Sequence, residues 1–132
     1  MAHTGTFQCS VVTPERAVLE CEATFVALPA WDGEVGVLRN RAPLLCRLGI
    51  GGLRVETPDE NHIMFVDGGF AEMADNKLTI LTSAVRLPDE LDGQEMAAAL
   101  EAARDMEVRD ELSFKAKQDA LQRVRAQRKL AS

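Results

Sequence analysis

Residues 77–106 read KLTILTSAVRLPDELDGQEMAAALEAARDM, and two kinds of local structure meet in the middle of them. Up to Arg86 the stretch is β-rich: KLTILTS (77–83) is a run of strand length with β-branched residues. Pro88 then removes a backbone donor and closes that pattern. Beyond it the chain is rich in Ala, Glu, Leu and Met, all good helix formers. Met96, Ala99, Leu100, Ala103 and Met106 fall at helical spacing. Asp92 is placed to cap this helix, with Glu95 three residues on as its reciprocal partner. The chain therefore divides into a β unit over residues 1–86 and a helical unit over 87–132.

Working back from Arg86, TFQCSVVT (6–13) and HIMFVDG (62–68) alternate, and ATFVALPA (23–30) and GGLRVET (51–57) are β-rich runs. Turn signals separate them: TPER, AWDGE, LGIGG, TPDEN, DGG and ADNK. This spacing predicts nine to ten strands with no helix among them. It excludes alternating βαβ units and favours a β-sandwich or barrel. Both GIGG (49–52) and DGG (67–69) read as turns between strands.

Working forward, a second helix is expected to start near Ser113 and run through FKAKQDALQRVRAQRKL (114–130). Phe114, Ala120, Leu121 and Val124 make its apolar stripe, and Asp119 and Arg123 an i,i+4 pair. The short link between the helices predicts an antiparallel hairpin. Its stripes are thin and largely alanine. A buried Leu or Phe is worth roughly 1.5–3 kcal/mol and Ala far less, so such a hairpin is marginal alone. It should dock on something and be able to undock.

Composition narrows the function. The 132 residues carry a net charge of −6 with 46% apolar residues, which suits a core but not a general nucleic-acid binder. No run is long enough to cross a bilayer, and MAHTGTFQCS lacks a signal-peptide pattern. Cys9, Cys21 and Cys46 are odd in number and never spaced CxxC. They read as buried reduced thiols of a bacterial cytoplasm or organelle interior. His3 and His62 lack partners at metal spacing, and no serine sits in a nucleophile elbow. Glu56, Asp59 and Glu60 share a solvated turn. Trp31 is the single Trp and Tyr is absent, so there is no stacking platform for bases. No independent active site, metal site or cofactor site is legible. Charge is uneven: residues 86–111 hold nine acids against three arginines, whereas Arg123, Arg125, Arg128 and Lys129 close the second helix without an acid. That basic end suits the helix dipole or an acidic partner.

Residues 33–45, GEVGVLRNRAPLL, have no chemistry in them yet follow a recognisable pattern at all but one position: Gly-Glu, aliphatic, Gly, aliphatic, Leu, two free positions, a His position that Arg41 fills here, then Ala-Pro and two aliphatics. VDGGFAEMADNKLTILTSAV (66–85) and FQCSVVTPERAVLECEATFVALPAWDGEVGVL (7–38) match further segments in order. With the helical hairpin, the chain resembles the epsilon subunit of the rotary F-type ATP synthase of bacteria and chloroplasts. The match is specific in the β half and weaker in the helices.

The resemblance implies a non-catalytic central-stalk subunit. It would bind the foot of the gamma shaft, rest on the c-subunit ring, couple rotation to the alpha/beta catalytic head and inhibit ATP hydrolysis through its hairpin. By matching position, Glu34 is expected to face the c ring, and Arg41 and Pro43 the gamma subunit. Arg41 stands where the family has histidine, which makes the charge permanent. Arg123, Arg125, Arg128 and Lys129 are expected to meet acidic segments of the beta subunits when the hairpin extends. Many relatives open the first helix with a Leu-Asp-x-x-Arg-Ala pattern that binds ATP in some bacteria. Here Leu91 and Asp92 match, but Glu95 replaces the arginine and Met96 the alanine. A carboxylate repels a triphosphate, so no nucleotide cofactor is expected. The implied location is peripheral, on the cytoplasmic face of a bacterial inner membrane or the stromal face of a thylakoid. The rival reading, from the residues alone, is a small-molecule-binding β-domain with a dimerising helical tail.

Overall fold

The computed structural model describes residues 5–131; His3 lies outside them. Eight strands are followed by two helices: β1 (Phe7–Val12), β2 (Ala17–Ala23), β3 (Phe25–Ala30), β4 (Gly33–Val37), β5 (Leu44–Glu56), β6 (Asn61–Ala74), β7 (Lys77–Leu81), β8 (Val85–Arg86), α1 (Gly93–Arg104) and α2 (Glu111–Ala131). A short 3-10 turn, Pro88–Glu90, bridges the two parts. The strands run in the order β2-β1-β7-β6-β5-β3-β4, with β8 also on β6. All pairs are antiparallel except β1 with β7.

Fewer strands form than the turn signals predict, because two of them are long. β5 has 13 residues and β6 has 14, and each serves both layers of the sandwich. Leu44–Leu48 pairs with Gly69–Met73, which continues to β7 and β1. The far half of β5 pairs with Asn61–Asp67 and with β3. GIGG and DGG are therefore bends inside strands, not turns between them. Gly69 shows why: its φ is +119°, and a Cβ there would collide with the Leu81 carbonyl. Glycine lets β6 fold over the core without ending.

Between the layers lie Val11, Leu78, Ile80, Ala71 and Met73 from one side and Val26, Leu28, Leu53, Val55, Met64 and Val66 from the other. Phe65 is on the opposite face of β6 from Met64 and Val66, yet it is only 2% exposed. It lies on the side that carries Asp67, where α2 packs across β5 and β6. The hairpin thus docks on the outside of the sandwich.

The helix ends differ in detail from the sequence reading. Asp92 does cap α1, accepting from the Gln94 N–H at 2.8 Å. Glu95 does not complete a capping box; it reaches Arg86 at 3.6 Å. α2 begins two residues before Ser113. Asp110 accepts from the Ser113 N–H at 2.8 Å, and the Ser113 hydroxyl accepts from the N–H groups of Arg109 and Asp110 at 2.8 and 3.0 Å. Ser113 is thus the reciprocal member of the cap and Asp110 its leading residue. Lys117 Nζ donates to the Arg104 and Met106 carbonyls at 2.9 and 3.1 Å, closing the C-terminal end of α1.

Candidate interfaces on the sandwich and the docked hairpin

The segment after β4 is held from outside. Asn40 adopts φ 58° and its N–H donates to the Asn76 side chain at 2.7 Å, while Asn76 Nδ2 donates to the Thr6 carbonyl at 3.1 Å. This pins residues 38–43 against the β6–β7 turn and leaves Arg41 and Pro43 exposed. Glu34 is exposed too, opposite Pro29 in the β3–β4 pair.

A feature the sequence reading missed lies on the outer face of the first layer. Arg47, Phe70, Leu81 and Val12 stand in one row across β5, β6, β7 and β1. The next row holds Leu45 and Glu72. Leu45 is 72% exposed, Phe70 54% and Leu81 52%. Alternation could have found Phe70, since Ala71 and Met73 take the inward positions of β6 and Phe70 shares the outward parity of Glu72. Leu81 likewise keeps the outward parity of Lys77 and Thr79, beside buried Ile80. Trp31 and Leu38 add further exposed apolar surface.

The hairpin contacts are polar as well as apolar. Arg123 Nε meets Asp67 Oδ2 at 2.6 Å and its Nη2 meets Oδ1 at 3.3 Å. Asp119 instead pairs with Lys115 at 3.0 Å, so the expected Asp119–Arg123 pair does not form. Arg123 is drawn off its own helix by the carboxylate on the sandwich. Gln122 Nε2 donates to the Ile50 carbonyl at 3.0 Å. Leu130 sits over Gly52, 3.3 Å from where a Cβ would be. Of the described hairpin residues, Ala103 and Val124 are buried; Ala99 and Phe114, both assigned to apolar stripes, are exposed. Arg125 and Lys129 line a groove of about 510 Å³ with Glu34, Arg54 and Gly52. The docked hairpin therefore brings Arg125 and Lys129 into one groove with Glu34, whereas Arg41 and Pro43 lie outside it.

The stretch matching the nucleotide pattern lines a smaller cleft of about 260 Å³ with Asp92, Glu95, Met96, Arg86 and Arg123. Both arginines are engaged by carboxylates, Arg86 by Glu95 and Arg123 by Asp67. His62 pairs with Glu60 at 3.3 Å. Among the described residues no three His, Cys, Asp or Glu side chains converge as a metal site.

Residues 6–88 match the family described as ATP synthase, Delta/Epsilon chain, beta-sandwich domain. The chain belongs to this family. An ATP synthase epsilon chain of Rhodopirellula baltica is 45% identical over 120 residues, covering 91% of this chain and 94% of the relative. One from Desulfitobacterium hafniense is 41% identical over 99 residues, 75% of each chain. Two solved structures share the fold of this delta/epsilon chain. A chain of the Euglena gracilis mitochondrial ATP synthase OSCP/F1/c-ring assembly superposes with a TM-score of 0.85 at 22% identity, covering 100% of this chain and 84% of its own. A chain from the Tetrahymena thermophila ATP synthase central stalk/c-ring gives 0.76 at 14% identity, covering 95% and 96%. No helix of the described residues is long and apolar enough to cross a membrane.

Proposed function

We propose that this chain is the epsilon-type central-stalk subunit of a rotary proton-translocating ATP synthase, non-catalytic itself. It couples rotation of the c ring to the alpha/beta head through gamma. The observation that carries this reading is the family match over the whole sandwich, with a relative named ATP synthase epsilon chain aligned along 91% of the chain. The exposed row of Phe70 and Leu81, continuous with Leu45, supports a protein partner. Gamma is the partner assigned to this face and to Arg41 and Pro43, with Glu34 toward the c ring.

The sandwich and the hairpin act as two units divided near Arg86. The docked hairpin is the resting arrangement. On release, Arg123, Arg125, Arg128 and Lys129 reach acidic segments of the beta subunits and restrain hydrolysis. The subunit is held at the cytoplasmic face of a bacterial inner membrane, or the stromal face of a thylakoid, through its partners. It takes no ATP, because Glu95 occupies the family's arginine position and Arg86 and Arg123 are already neutralised.

The test is capture from detergent-solubilised membranes with a tagged chain. Gamma and the alpha/beta head should co-purify, and Phe70→Ser with Leu81→Ser should abolish their recovery. Recovery of neither with wild-type chain, in membranes that make ATP, would refute the assignment. Calorimetric titration should show no heat of ATP binding.

A further inference from the structure

Cys9 and Cys21 are directly opposed partners in the antiparallel β1–β2 pair. Such partners have Cα atoms about 4.5–5.5 Å apart, inside the roughly 4.4–6.8 Å window for a disulfide. The two thiols are near enough for each to perturb the ionisation of the other. The two differ in access. Cys9 is 0% exposed and part of the core, whereas Cys21 is partly exposed. It opens on a cleft of about 240 Å³ lined by Thr57, Pro58, Glu60 and His62. Cys46 lies on β5 opposite Ala71, with no cysteine across from it.

From this geometry we propose that Cys9 and Cys21 form a peroxide-reactive dithiol, in which Cys21 takes the oxidant and Cys9 resolves it to an intrachain disulfide. The neighbouring Cys9 thiol lowers Cys21, against opposing effects of its burial and of Glu60; the same pairing, with burial, raises Cys9. The accessible sulfur is therefore the more acidic of the two. Cys21 Sγ attacks one oxygen of a hydroperoxide. The O–O bond breaks, and the leaving oxygen departs as water or alcohol after taking a proton from solvent. Cys21 is now a sulfenic acid. Cys9 Sγ attacks that sulfur, the S–O bond breaks, and the hydroxyl leaves as water with the Cys9 proton. Two thiols and one hydroperoxide give one disulfide, one water and one further water or alcohol. The bond ties the edge strand β2 to β1 across residues 10–20. It locks the margin of the sheet without touching the Phe70 and Leu81 row.

The experiment exposes the reduced, native full chain to one equivalent of hydrogen peroxide, quenches it with an alkylating reagent and maps tryptic peptides. Cleavage after Arg16, Arg39, Arg41 and Arg47 puts the three cysteines on separate peptides. The expected product has lost two hydrogens, joins the Cys9 and Cys21 peptides, and leaves Cys46 alkylated. In Cys9→Ser, Cys21 should stop at a sulfenic acid that dimedone traps; in Cys21→Ser, Cys9 should stay a thiol at the same dose. Oxidation of Cys46 before Cys21 would overturn the proposal, as would wild-type Cys21 sulfinic acid beside an alkylated Cys9, or intermolecular dimers as the main product. The decisive comparison is within the wild-type chain, so a variant that fails to fold does not remove the test.

Discussion

Replacing Asp67 with Asn keeps the shape of the side chain and deletes the charge that Arg123 grips from α2. The pair is two-pointed, at 2.6 and 3.3 Å, with Arg123 39% and Asp67 27% exposed at the side chain. A fully exposed pair is worth about 0–1 kcal/mol. The second hydrogen bond and partial shielding raise that toward the charge-assisted range, and solvent screening lowers it again. About 1 kcal/mol is the net expectation, which shifts the docked-to-undocked ratio of the hairpin about fivefold. Trp31 gives a native optical reporter, because it shares a groove with Asp67, Lys115 and Arg123 and is the single Trp of the chain. Amide exchange along α2 gives a second readout. Asp67→Asn should speed α2 exchange about fivefold at low ionic strength and move Trp31 emission. High salt should narrow the gap between wild type and variant. Asp119→Asn, which breaks a pair internal to α2, should do far less. A double cycle with Arg123→Gln should recover a coupling close to the single-variant loss. Equal α2 exchange in wild type and Asp67→Asn at every salt concentration would refute the idea that this pair holds the hairpin down.

Phe70→Ser and Leu81→Ser should leave the free protein's stability within about 0.5 kcal/mol by thermal melting, as exposed substitutions do, while each weakens partner binding about tenfold or more through lost apolar burial. Gly69→Ala should cost at least about 3 kcal/mol by urea denaturation, since strain at φ +119° adds to a collision with the Leu81 carbonyl. Asp110 is held below the ordinary carboxylate value by the Ser113 N–H and hydroxyl. Its stabilisation of the α2 start is therefore full above that ordinary value and lost as pH falls through the lowered one, visible as faster Ser113 amide exchange in acid. A chain ending at Arg86 should be folded by circular dichroism and melt cooperatively; a disordered fragment would show that the sandwich needs its hairpin.

The β-then-helix division was legible because two independent signals coincide at Arg86: the change of period and Pro88. The strand count was less legible. A glycine pair ends a strand in one protein and bends it in another, and only pairing tells which. At Gly69 the deciding fact is the carbonyl of Leu81, twelve residues further along the chain on another strand. The Asp67–Arg123 pair was hidden for a similar reason. On the helix alone Asp119 is the obvious partner for Arg123; docking supplies Asp67 and leaves Asp119 to Lys115. The leading cap of α2 moved three residues, from Ser113 to Asp110, because Asp and Ser both suit that role, whereas Asp92 caps α1 as expected. The exposed row of Phe70 and Leu81 was open to inspection through parity, but a large apolar residue is by default assigned to a core.

Those same particulars bear on how a hairpin can be both held and released. Among the described residues only Ala103 and Val124 of the hairpin are buried, a fraction of the apolar area that fixes a helix permanently. Part of the remaining hold comes from the shielded Arg123–Asp67 pair, the Arg86–Glu95 pair, one side-chain bond from Gln122 to the Ile50 carbonyl, and Leu130 over Gly52. Each is worth on the order of 1 kcal/mol, so any competitor offering α2 a few such contacts can draw it away. Arg123 is the natural point of competition, because one guanidinium cannot serve Asp67 and a distant carboxylate at once. Among the described residues Arg125 and Arg128 form no ion pair with an acid. A partner's acidic segment would thus meet exposed Arg125 and Arg128 first and displace Asp67 last. That order makes the first contacts, at exposed Arg125 and Arg128, the most sensitive to ionic strength, and the final exchange at the shielded Asp67 the least.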